Sequence, residues 1–75
     1  MYHTIEFAVD IHPDLEVSPK KPLEKVRIAK GSRLQAQLKP YVIETDAGLI
    51  EVADLYFIDG RVARGIPFEK FSLAD

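Results

Sequence analysis

Four residues after the first apolar segment have the types and the spacing of a metal or acid–base site. Asp10, His12, Asp14 and Glu16 alternate along the chain, so an extended backbone would place their side chains on one side. Carboxylates and an imidazole grouped in this way bind divalent metals or transfer protons. Pro13 bends the chain inside the group, however, and disturbs that arrangement. We therefore expect a solvated acidic segment here, with no metal ion and no catalytic group.

The serines and glycines lack the settings that nucleophilic catalysis and phosphate binding require. None of Ser18, Ser32 and Ser72 lies in a Gly-x-Ser-x-Gly turn, and loop, cap and tail positions account for them. The four glycines are too scattered to cradle a phosphate, and a turn explains each of them. We therefore predict that the protein is not an enzyme and needs no cofactor.

Positive charge is concentrated in one stretch of the chain. Residues 20–39 carry seven of the ten lysines and arginines, so the formal charge is −4 over residues 1–19, +6 over 20–39 and −4 over 40–75. Such segregation steers association with charged partners. Six residues of this stretch form a candidate site for anions or an acidic partner, and we name them the basic segment: Lys20, Lys21, Lys25, Arg27, Lys30 and Arg33.

The basic segment has three interpretations. Its side chains could follow a nucleic-acid backbone, dock an acidic protein, or form a solvated face that balances neighbouring acids. The net charge of −2 and the isoelectric point near 5.6 argue against nucleic acid. So does the lack of aromatic residues within the segment, because bases stack on aromatic rings. We favour the solvated face and keep the other two as alternatives.

Length and composition predict a single small domain spanning residues 1–75. A chain of 75 residues buries only about 60% of its unfolded surface, and this one has no cysteine to form a disulfide. Its 47% apolar residues suffice for a hydrophobic core. The longest uninterrupted apolar run, Leu55 to Ile58, is far shorter than the roughly 18 residues of a membrane span. We expect a cytoplasmic protein that does not insert into membranes.

The apolar periodicity predicts a mostly β fold. Residues 3–11 alternate as a half-buried strand does, and residues 23–30 fit a second strand after a proline-rich loop at 12–22. Two hairpins should follow, with a three-residue turn at Asp46-Ala47-Gly48 and a type I′ turn at Asp59-Gly60. About five short strands indicate a small antiparallel roll or a partly closed SH3-like barrel.

Residues 32–39 fit two kinds of secondary structure. Their alternating apolar residues suit a strand, whereas Ser32 and Gln35 have the spacing of a helix capping box. No β-branched or aromatic residue opposes a helix there, so we favour a short helix over the strand. Pro40 would end it, because the residue before a proline is disfavoured in helical conformation.

If Leu49 to Ile58 runs as one strand, both of its faces are apolar, and a chain of this size can hardly cover both alone. Aromatic residues of the tail could cover one face, since Phe68 and Phe71 have the spacing of a helical turn near 67–71. Otherwise an exposed patch would remain for a partner. A bulge near Asp54 that buries Tyr56 and Ile58 is the alternative. The candidate protein interface comprises Val42, Ile50, Val52, Tyr56 and Ile58.

The sequence therefore predicts a non-enzymatic protein-interaction module. It would act as an accessory or regulatory subunit, or as a homo-oligomer, through the apolar face of the hairpin. The alternative function is a small nucleic-acid-binding β-barrel that uses the basic region 20–39 directly.

Overall fold

The computed structural model describes all 75 residues. Its regular elements are seven strands and one 3-10 turn. The strands are β1 (His3–Phe7), β2 (Asp14–Glu16), β3 (Glu24–Lys25), β4 (Arg33–Thr45), β5 (Gly48–Phe57), β6 (Val62–Pro67) and β7 (Phe71–Leu73). They form one antiparallel sheet in the order β3-β2-β6-β5-β4-β1-β7, and the sheet is not closed. The predicted mostly β class and compact antiparallel roll are confirmed, with seven strands in place of about five.

The hydrophobic core lies on one face of β5 and of the strands beside it. Alternation in β1 places Ile5 and Phe7 in this core, as the sequence predicted. Across the whole protein the buried apolar residues number twelve: Ile5, Phe7, Ile11, Leu15, Ile28, Ala36, Val52, Ala53, Leu55, Phe57, Ala63 and Phe71. Three of them are alanines, so nine larger apolar side chains fill the interior.

The helix favoured for residues 32–39 is wrong, because this segment begins the longest strand. Residues 33–36 pair with β1 on one side, and Ala36 onward pairs with β5 on the other. Pairing with two strands provides more backbone hydrogen bonds and more apolar burial than a capped single helical turn. At 13 residues, β4 is long enough to pair with β1 near its start and with β5 along the rest.

The expected loop at 12–22 and the expected strand at 23–30 are only partly correct. Residues Asp14–Glu16 form β2, which pairs with β6 and with the short β3. The cause is Leu15, whose side chain is fully buried in the core opposite Ala63. Beyond β3, Ile28 forms an isolated bridge with Ile11. The remaining residues of the proline-rich stretch connect these elements.

The first hairpin has a tighter turn than the sequence indicated. Thr45 pairs with Gly48, so only Asp46 and Ala47 form the turn. Gly48 has a φ of 109° and belongs to the first pair after the turn. This register pairs Val42 with Glu51, one residue away from the pairing that a three-residue turn would give. A shift of one residue moves a side chain to the opposite face of the sheet.

The second hairpin exists, but its turn is not type I′. A type I′ turn needs positive φ at both central residues, and Asp59 has a negative φ. The Gly60 amide donates to the Phe57 carbonyl, and the Phe57 amide donates to the Arg61 carbonyl, both at 2.9 Å. This pattern is a type I turn followed by a glycine bulge at Gly60, whose φ is 93°.

The helical turn predicted near 67–71 is confirmed as a 3-10 turn, Phe68–Lys70. The Phe68 and Phe71 rings lie 5.1 Å apart, and the Phe71 ring lies 6.4 Å from that of Phe7. These rings pack the tail against β1, beside which β7 adds the last strand. The structure contains no helix of the length and apolar character that crossing a bilayer requires.

The bulge at Gly60 can be tested by substitution. Gly60→Val should lower the free energy of unfolding by about 1–2 kcal/mol, because a β-branched residue resists positive φ. A Cβ at this position meets no atom within 4 Å, so backbone strain alone would cause the loss. Gly60→Asn should lose less, since asparagine tolerates this region better. Urea unfolding measures both values, and equal stability of the valine variant and the original protein would contradict the described turn.

Candidate protein-interaction surface

Residues 42–51 form an exposed arm at the end of the β4–β5 hairpin. β1 pairs with β4 only as far as Ala36, and β6 pairs with β5 only as far as Val52. Beyond these points the two strands pair with each other alone, and no arm residue is buried. Isolated two-stranded hairpins are marginally stable in water. The arm therefore has more to gain from being covered than any other part of the sheet.

Apolar side chains lie on both faces of the arm. Directly paired residues share a face, so Val42 and Leu49 lie on one face and Ile43 and Ile50 on the other. Leu49 is 73% exposed and Val42 is 57% exposed, and the isoleucines are exposed to a lesser degree. Exposed apolar residues that lie together in a small protein commonly mark a binding surface.

The charged residues of the arm are all acids. Glu44, Asp46 and Glu51 belong to it, and no lysine or arginine occurs between Pro40 and Gly60. None of the three acids forms an ion pair within the chain. The arm is therefore an apolar surface with an acidic rim.

Pro40 protects the free edge of β4 next to the arm. The Gln35 carbonyl accepts a hydrogen bond from the Ile58 amide, so the odd-numbered residues of β4 point their backbone groups towards β5. Even-numbered residues then point outward, and Pro40 takes one of these positions, where it needs no N–H partner. A proline there interrupts the ladder that another strand would need. Pro40 thus limits strand addition on the β4 side at the base of the arm.

The predicted interface residues are only partly brought together. Val52 is fully buried and cannot contact a partner, which corrects its place in the predicted set. Tyr56 is half-buried, and Ile50 and Ile58 are exposed. Val42 is exposed on the opposite face from Ile50, because the two-residue turn shifts its pairing. The sequence reasoning missed the neighbours that complete the arm, Ile43 and Leu49.

The bulge anticipated near Asp54 is present, but in the neighbouring strand. Ala53 pairs with Ile66 and Leu55 pairs with Ala63, so two residues of β6, Arg64 and Gly65, lie opposite Asp54. Alternation along β5 continues without interruption through its pairing with β4. Ile58 consequently stays 60% exposed and is not buried by the bulge.

Asp54 is the only buried charged residue, and three groups bind its carboxylate. Oδ1 accepts hydrogen bonds from the Tyr41 hydroxyl at 2.8 Å and the Gly65 amide at 2.9 Å. Oδ2 accepts from Arg64 Nη1 at 3.1 Å, and Arg64 Nε also donates to Glu16 at 2.9 Å. No buried side-chain polar atom in the protein lacks a partner. The cluster joins β2, β4, β5 and β6 at the bulge.

The protonation states in this cluster suit a structural role. Burial raises the pKa of Asp54, but the hydrogen bonds from Tyr41 and Gly65 and the charge of Arg64 outweigh it, so that pKa lies below its usual value. The hydrogen bond to Asp54 and partial burial raise the pKa of Tyr41, and the contact with Glu16 raises the pKa of Arg64. All of these shifts move titration away from neutral pH. The sequence analysis did not predict this cluster. The signal that could have indicated it is Asp54, a single acid within the otherwise apolar run 52–58.

The acidic residues that could have formed a metal or acid–base site are engaged elsewhere. Asp10 accepts from Arg27 at 3.2 Å and from the Lys30 amide at 2.7 Å, and these bonds lower its pKa. Glu16 faces Arg64, and His12 is exposed. Nowhere do three histidine or acidic side chains group in a way that could hold a metal ion.

The basic segment divides into paired arginines and unpaired lysines. Arg27 contacts Asp10, and Arg33 contacts Glu6 at 2.8 Å, so the balancing of neighbouring acids accounts for both arginines. The four lysines have no carboxylate within 4.0 Å, and all are exposed: Lys20, Lys21, Lys25 and Lys30. They remain available to an acidic partner.

An open pocket of about 290 Å³ lies at the end of the sheet opposite the arm. Its walls come from the stretch Val26 to Ile28, from Leu34 near the start of β4, and from Phe57 and Ile58 at the end of β5. Arg27, Arg61 and Asp59 also border it, and Arg61 forms an ion pair with Asp59. Most of the residues that line the pocket are apolar. Lys25 directly precedes Val26, which lies in the pocket wall.

The comparisons with known proteins give no relative. No family model matches the chain, and no curated protein or solved structure matches it.

The role of Asp54 yields a pH-dependent prediction. Asp54→Ala should lower the free energy of unfolding at pH 7 by about 1–3 kcal/mol, since the Gly65 amide and the Tyr41 hydroxyl lose their acceptor. The folded-state pKa of Asp54 lies below the unfolded value of about 3.9, so protonation favours unfolding. The difference between the original protein and the variant should therefore persist above about pH 5 and shrink as pH falls below about 4.

Urea unfolding between pH 7 and pH 3 measures this difference. Asp46→Ala is the matched control, because Asp46 is exposed and its side chain forms no ion pair. It should leave the free energy of unfolding nearly unchanged. An Asp54→Ala variant as stable as this control at pH 7 would show that the cluster does not hold the bulge.

Proposed function

We propose that this protein is a non-enzymatic protein-interaction module whose contact surface is the arm, residues 42–51. The observation that carries the proposal is an unsupported hairpin with exposed apolar side chains on both faces. A soluble monomer has no stabilising use for such side chains, whereas an interface does. The module would serve as an accessory or regulatory subunit or as a homo-oligomer. A cytoplasmic location remains a prediction from the sequence.

The apolar side chains of the arm are sufficient to matter energetically. Complete burial of a valine, leucine or isoleucine side chain contributes about 1.5–3 kcal/mol. Val42 is 57% exposed and Leu49 is 73% exposed, so covering the exposed part of both would contribute about 2–4 kcal/mol before the costs of association are subtracted. The acids Glu44, Asp46 and Glu51 would form the polar rim that surrounds such a core. They select for a partner with positive charge around an apolar contact.

A double substitution on one face of the arm tests this proposal. Val42→Ser with Leu49→Ser should weaken self-association or partner binding by tenfold or more, on the order expected when central apolar contacts are lost. The far-UV circular dichroism spectrum should stay nearly unchanged, because both side chains are exposed in the single chain. Light scattering across a concentration series and affinity capture from the native host measure the two kinds of binding.

Val9→Ser with Val17→Ser is the matched control for that pair. Both valines are exposed but lie outside the arm, so this variant should associate as the original protein does. If the arm variant and the control variant bind equally well to every partner and to themselves, the arm is not the contact surface and the proposal fails.

Nucleic-acid binding is the second candidate function, and the four unpaired lysines favour it. If Lys20, Lys21, Lys25 and Lys30 all contact phosphates, the logarithm of the binding constant should fall with that of the salt concentration at a slope of about −3.6. Fluorescence anisotropy with single-stranded and duplex oligonucleotides measures this slope. Changing all four lysines to glutamine should abolish binding, whereas the arm variant should not affect it. Absence of binding at low salt would eliminate this candidate.

A further inference from the structure

The arm and the pocket lie at opposite ends of the same pair of strands. Leu34 borders the pocket, and Val42 begins the arm eight residues further along β4. Between these two points β4 and β5 are paired continuously, and this ladder holds the two surfaces apart. The arm of a chain therefore cannot enter the pocket of the same chain. Any contact between these two surfaces requires two molecules.

The pocket has the size and lining of a site for apolar side chains. Its volume of about 290 Å³ lies at the lower limit of ligand pockets, which span roughly 300–1,000 Å³. Leu34 and Ile58 form an exposed apolar lip around it. Such a site fits one or two aliphatic side chains better than a large cofactor. The arm carries exposed aliphatic side chains of this kind on one face, with Val42 at its base and Leu49 near its tip.

Charge distinguishes between the possible contacts of two copies. The arm holds three unpaired acids and no base, so two arms placed side by side would repel each other. The stretch that leads into the pocket wall contains lysines without an acidic partner, with Lys25 directly before Val26 and Lys30 shortly after Ile28. An acidic arm is therefore attracted to the pocket side of another copy and repelled from its arm.

We propose that a second copy of this chain covers the arm, and that the arm of each copy docks in the pocket of the other. This inference rests on the proposed function and names its partner. In a two-fold symmetric dimer, residue i of one copy contacts residue j of the other and the reverse, so both arms and both pockets are occupied at once. Val42 and Leu49 contact the pocket lip, while the acids of the arm face the lysines of the basic segment.

Light scattering and sedimentation of the purified chain, from about 1 µM to about 1 mM, test the dimer. The original protein should form dimers in this range, and dissociation should increase with salt. The arm variant, Val42→Ser with Leu49→Ser, should weaken dimerisation by at least about tenfold. Ile58→Glu should do the same by placing a negative charge at the pocket lip. The control Val9→Ser with Val17→Ser should dimerise normally.

Mixing the two defective variants gives the decisive result. A dimer of the arm variant has no intact contact, and neither has a dimer of Ile58→Glu. A mixed dimer contains one intact contact, between the normal arm of the Ile58→Glu chain and the normal pocket of the other. Mixing should therefore restore dimers well above the level of either variant alone. Leu34→Glu serves as a second pocket variant if circular dichroism shows that Ile58→Glu does not fold.

The outcomes separate this inference from the proposed function. A monomer at all concentrations overturns the inference, and affinity capture with the arm variant then decides the proposed function independently. Dimers that depend on the arm but not on Ile58 or Leu34, or that mixing does not restore, show an arm-to-arm contact. That result overturns the inference and leaves the arm as the interaction surface. Self-association and capture that do not depend on the arm at all overturn both.

Discussion

A shortage of apolar burial constrains every part of this structure. The 75 residues form seven strands, and only twelve apolar residues are buried. A chain of this length buries about 60% of its unfolded surface, so stability depends on how far the small core reaches. Along β5 the core ends at Ala53, and Val52, which is buried on the other face of the strand, is the last buried residue before the arm. The ten residues beyond it form a hairpin arm with apolar side chains and no support from neighbouring strands.

The polar cluster of Asp54 marks the boundary between the supported sheet and the arm. Its carboxylate binds Tyr41 of β4, Arg64 of β6 and the amide of the bulge residue Gly65. A buried carboxylate is stable only when its acceptor sites are filled, and here they are. The cluster thus fixes the bulge and anchors the base of the arm. The hydrogen bonds and the charge of Arg64 lower the pKa of Asp54, which keeps its carboxylate charged at neutral pH and able to accept these bonds.

Local sequence patterns predicted the elements whose signals lie within their own residues. Alternation identified β1, glycine-containing turns located both hairpins, and aromatic spacing located the 3-10 turn. The patterns failed where pairing with distant strands determines the secondary structure. Residues 32–39 have a helix capping box, but residues 33–39 pair with two strands instead. The proline-rich stretch was expected to be a loop, but the burial of Leu15 makes part of it a strand. Neither pairing can be derived from the segment itself.

The candidate site was predictable in kind but not in detail. The alternation of residues 49–58 predicted a strand with two apolar faces, one of which could remain uncovered. In the structure Ile50 and Ile58 are exposed, whereas Val52 is buried. Which residues share a face of the hairpin depended on the length of its turn. A two-residue turn moves Val42 to the face opposite Ile50. Charge segregation identified the basic segment, yet only the structure separates its paired arginines from its free lysines. The Asp54 cluster could not be predicted in the same way. It depends on the bulge in β6, which brings Arg64 and Gly65 opposite Asp54.

Hydrogen exchange of the arm measured as a function of protein concentration tests the central claim most directly. The claim is that residues 42–51 are open in the single chain and become covered when the protein binds. Amides of this stretch should exchange rapidly in dilute solution and gain protection as dimers or partner complexes form, while the amides of Val52 to Phe57 remain protected throughout. Arm amides whose exchange is the same in free and associated protein would contradict the account.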